Sequence, residues 1–62
     1  MDSYTKEELE EALRIISSTI IRCEKTQPKF VKGTSQHTLL KNRIKALYIS
    51  KSLITDEISK RG

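Results

Sequence analysis

The sequence has no tryptophan, one cysteine, one histidine, one proline, one phenylalanine and two glycines in 62 residues. Each shortage removes a class of protein. A lone Cys23 forms no intrachain disulfide, and Cys23 with His37 cannot supply the four ligands of a zinc site within one chain. With only Gly33 and Gly62, there is no Gly-rich loop to cradle a phosphate. The longest unbroken apolar run, Ala46 to Ile49, is too short to span a bilayer, which predicts no membrane partner. The acidic, polar start "MDSYTKEELEE" does not follow the pattern of a signal peptide. A free thiol with no export signal predicts a reducing, cytoplasmic setting.

What remains is rich in Glu, Lys, Leu and Ile, a helical composition. Thr5 is a good N-cap, and Glu8 three residues on completes a T-x-x-E capping box. Tyr4 and Leu9 have the spacing of a hydrophobic staple. Leu9, Leu13, Ile16, Ile20 and Cys23 then recur at heptad spacing, with Ala12 widening the seam. Pro28 biases Gln27 away from helix, so the first helix is predicted over about 6–25, stopping near Lys25. A connector follows over 26–34. Its apolar residues, Phe30 and Val31, are expected to plug the open end of the bundle, with an exposed hook as the alternative.

The second helix is predicted over about 35–59, with Thr34 or Ser35 as N-cap. Leu40, Ile44, Leu47 and Ile54 form its main stripe, interrupted by Lys51, and Leu39, Ala46, Tyr48, Ile49 and Leu53 broaden the apolar surface. Residues 55–57 leave open whether that helix runs on or ends in a separate turn. An antiparallel register that pairs Leu13 with Leu47, Ile16 with Ile44, Ile20 with Leu40 and Cys23 with His37 aligns the two stripes. It also sets Lys51 level with Leu9, within reach of Glu8 or Glu10. The chain, 1–62, is thus expected to be one all-α domain, an antiparallel two-helix hairpin.

Chains below about 70–80 residues usually need extra support, and a widely apolar helix wants more than one neighbour. Two hairpins are therefore expected to pair as a homodimeric four-helix bundle, with an unidentified protein partner as the alternative. The expected packing residues are Leu9, Leu13, Ile16, Ile20, Leu40, Ile44, Leu47, Ile49, Leu53 and Ile54.

No catalytic constellation is present. Cys23 and His37 fall near each other in this register, but neither an orienting group nor an oxyanion hole accompanies them. Glu7, Glu8, Glu10 and Glu11 sit in or beside an exposed first turn, where capping and solubility account for them. No enzyme activity, cofactor or metal is expected. The net charge of +4 divides unevenly, with the acids concentrated in residues 1–24 and the bases in 25–62. Lys41, Arg43 and Lys45 give the alternative reading, a nucleic-acid-associated regulator contacting phosphate through the second helix. Lys41 and Lys45 share one face, but Arg43 lies about 160° away at 100° per residue, so the three form no stripe.

The run "YTKEELEEAL", followed by "RCEKTQPKF" and "GTSQHTLLKNRIKALYISKSLI", resembles small uncharacterised helical-hairpin proteins of low-GC Gram-positive bacteria. The likeness covers most of residues 4–54, and Thr38 to Leu47 is its most specific part. It implies a small cytoplasmic bacterial protein, and no activity or functional residue comes with it.

Overall fold

Thr5 starts the first helix as the capping box requires. Its hydroxyl accepts from the Glu8 N–H at 3.1 Å, and the Glu8 carboxylate accepts from the Thr5 N–H at 2.9 Å. Two otherwise orphaned donors are thereby satisfied. In the computed structural model, which describes residues 4–61, helix α1 spans Lys6–Thr26 and helix α2 spans Ser35–Arg61. Asp2 and the extreme ends of the 1–62 domain lie outside the described residues. The two helices pack against each other as an antiparallel hairpin, with no strand among the described residues.

Helix α1 ends at Thr26, one residue past the expected Lys25, but Pro28 does not turn the preceding backbone out of the helical region. Gln27 stays helical at φ −53°, ψ −45°, and its N–H still reaches the Cys23 carbonyl. A 3₁₀ turn, Gln27–Lys29, carries on from α1 with Pro28 in its first positions. Proline loses nothing there, because the first N–H groups of a helical turn have no partner within it. The chain then reverses through a turn in which Thr34 N–H donates to the Val31 carbonyl at 3.2 Å. Gly33 takes φ +90° within it, a conformation costly for any side chain. The Thr34 hydroxyl accepts from the His37 N–H at 3.3 Å, which makes Thr34 the cap of α2. Helix α2 runs unbroken through residues 55–57.

This longer first arm changes the register. Pairing Leu13 with Leu47 would set Tyr4 opposite Asp56 and Glu24 opposite Gln36. Instead, the Arg61 guanidinium donates to the Tyr4 carbonyl, and the Tyr48 hydroxyl donates to Glu24. Both contacts place α2 further along α1 than expected. Lys51 pairs with neither Glu8 nor Glu10, because the slide moves it away from the start of α1. It remains half-buried within the stripe. The Arg14–Glu11 and Arg61–Glu57 ion pairs each lie within a single helix.

Two helices have one seam between them. Among the described residues, Leu9, Ile20 and Leu40 are the buried hydrophobic ones, and no side chain is enclosed completely. The hairpin measures 42 × 16 × 15 Å, with a radius of gyration of 13.9 Å. A compact chain of this length has about 10.6 Å. Phe30 and Val31 do not plug its end, since Val31 is 73% exposed and Phe30 is also exposed. A single layer of two helices offers no concave end for them to fill.

Candidate functional site

The expected packing residues divide into three groups. Leu9, Ile20 and Leu40 are buried, and Leu13, Ile16, Ile44, Leu47 and Ile54 are half-buried along the same seam. Ile49 and Leu53 face solvent at 53% and 60% exposure, joined by Ile15, Ile21 and Leu39. Helix α2 is thus apolar around much of its circumference, and α1 covers only one side of it.

Part of this uncovered surface forms an open groove of about 880 Å³ near the free ends of the two helices. Tyr4, Leu9, Ala12 and Ile15 contribute from α1 and its cap, and Leu53 and Ile54 from α2. Ser50 also lines it, and its hydroxyl donates back to the Ala46 carbonyl at 2.9 Å. The rim is acidic, with Glu7, Glu8, Glu11, Asp56 and Glu57 against Lys60. Glu7, Glu8 and Glu11 are legible in the sequence as capping and solubility residues, whereas Asp56 and Glu57 fall in the segment the sequence leaves open. Their assembly around an apolar groove depends on the register, which the stripes alone do not set.

The opposite face of the hairpin is different. Tyr48 donates its hydroxyl to the Glu24 carboxylate at 2.6 Å, a cross-helix bond that no sequence pattern signals. The bond holds the proton on Tyr48 and raises its pKa above the usual 10.0, with desolvation and the Glu24 charge adding to the effect. A raised folded-state value contributes stability that is complete below pH 10 and lost as the pH rises through it. Phenolate absorbance of a Tyr4→Phe variant, which leaves Tyr48 as the reporter, should therefore titrate above 10. Adding Glu24→Gln should bring the midpoint down, and an unchanged midpoint would mean the bond is absent in solution.

Lys41, Arg43 and Lys45 are all exposed, and the continuous helix keeps Arg43 away from the face that Lys41 and Lys45 share. Cys23 and His37 are each half-buried. Among the described residues, no three His, Cys, Asp or Glu side chains are grouped to hold a metal ion. No helix among them is long and apolar enough to cross a membrane. Comparison with protein-family models, with curated proteins and with solved structures finds no match.

Proposed function

We propose that this chain is a small non-enzymatic helix-packing module of the cytoplasm that works as a homodimeric four-helix bundle. The observation that carries the reading is the uncovered apolar surface. The chain exposes 4872 Å², whereas a compact monomer of 7.1 kDa exposes about 4,100 Å². The excess is close to the roughly 800 Å² that each partner buries in a standard interface. Apolar residues at Ile15, Leu39, Ile49 and Leu53 lie on that excess surface, and burying them against a second hairpin gives the core that one hairpin lacks.

Sedimentation equilibrium over a wide concentration range, with circular dichroism on the same samples, tests the reading. The expected result is a helical dimer whose helicity falls as dilution drives dissociation. A folded monomer at every concentration would end it.

A further inference from the structure

Residues seven apart share one side of a helix, and two such sets run along the groove face. On α1 the set is Glu8, Ile15 and Arg22, and on α2 it is Arg43, Ser50 and Glu57. Glu8, Ile15, Ser50 and Glu57 all line the groove, which fixes the side of the hairpin on which both sets lie. Each set is acidic toward the free ends, neutral in the middle and basic toward the connector. Ile15 and Ser50 are the groove-lining residues nearest the connector on their two helices, and they lie the same number of residues in from Tyr4 and Arg61, which the Arg61 side chain joins at the open end. The neutral midpoints are therefore level, and the acidic and basic ends flank them symmetrically.

We infer that this face binds a second copy of the chain end over end, so that the connector-proximal halves of one hairpin's helices cover the acidic groove of the other. The inference rests on the dimer reading above and supplies its face and its orientation. A two-fold axis crossing the helices at Ile15 and Ser50 lays α1 antiparallel on the partner's α1, and α2 antiparallel on the partner's α2. Glu8 then comes level with Arg22 of the partner subunit, and Glu57 with Arg43 of the partner subunit. Ile15 meets its own copy, and Leu53 meets the partner subunit's Ala46. The other face-to-face arrangement has its axis along the helices and brings like ends together. It sets Glu8 beside Glu57 of the partner subunit and Arg22 beside Arg43 of the partner subunit, so each of these four charges meets its like. The charge pattern selects the first.

A nitroxide on Lys32→Cys, in a Cys23→Ser background, reads the orientation directly by pulsed dipolar spectroscopy. End-over-end pairing puts the two connectors at opposite ends, so the label distance should be comparable to the 42 Å long axis. A distance comparable to the 16 Å width would overturn the orientation while leaving the dimer in place. Arg43→Glu, on an exposed position that leaves the fold intact, supplies the second arm. It should raise the dimer dissociation constant about tenfold at low salt, since two symmetric pairs become repulsive, and the difference should shrink as salt is added. A constant that stays the same or falls would count against end-over-end pairing, because in the like-ended dimer the same substitution converts a repulsion into an attraction. A monomer at all concentrations would end both readings together.

Discussion

Ile20→Asp should abolish most of the helical circular dichroism at 25 °C. Ile20 is only 4% exposed, in the one seam that joins the helices. The substitution removes a branched apolar side chain and leaves a carboxylate without a partner in its place, which costs roughly 3–5 kcal/mol. A domain of this size holds about 3–9 kcal/mol in total, so the loss takes most of its stability or all of it. Ile20→Val at the same position should cost only about 1 kcal/mol and keep the fold. If the aspartate variant melts within a few degrees of the parent, the seam does not hold the hairpin together.

Leu53→Lys should leave the helices intact and take the dimer apart. In the single hairpin Leu53 is 60% exposed, and substitutions at such positions change a monomer by no more than about 0.5 kcal/mol. In the bundle the same change places a charge in an apolar interface twice, once from each subunit. The dissociation constant should rise on the order of 100-fold, about 2.8 kcal/mol. The thermal midpoint should also become independent of protein concentration in the range where the parent's is not. A concentration-dependent midpoint identical to the parent's would place the dimer contact elsewhere.

The parts of this fold governed by local chemistry are readable from the sequence. Thr5 and Glu8 form both bonds of the capping box, Thr34 caps α2, and the two apolar stripes form the seam. The parts governed by axial placement are not readable in this way. A heptad stripe looks much the same after sliding by one turn, so apolar residues meet apolar residues in several registers. The choice among them falls to the connector, where the local preference of Gln27 before Pro28 gives way to a continued 3₁₀ turn. Phe30 and Val31 illustrate a second limit, because hydrophobicity marks residues that gain from burial without saying that one chain can cover them. The groove inherits both difficulties. Glu8 and Glu57 are visible as charges in the sequence, but their meeting across one apolar surface follows from the register.

The Ser50 hydroxyl, turned back onto the Ala46 carbonyl, bears on how easily the groove gives up its water. A hydroxyl that relies on solvent loses a hydrogen bond when a partner covers it, and that loss offsets part of the gain from apolar contact. Ser50 keeps its donor satisfied within its own helix, as Thr19 does toward the Ile15 carbonyl at 2.8 Å and Thr55 toward the Lys51 carbonyl at 2.7 Å. Drying the centre of this face therefore costs Ser50 no donor bond, and a small polar residue in the middle of an apolar groove is no obstacle to sealing it.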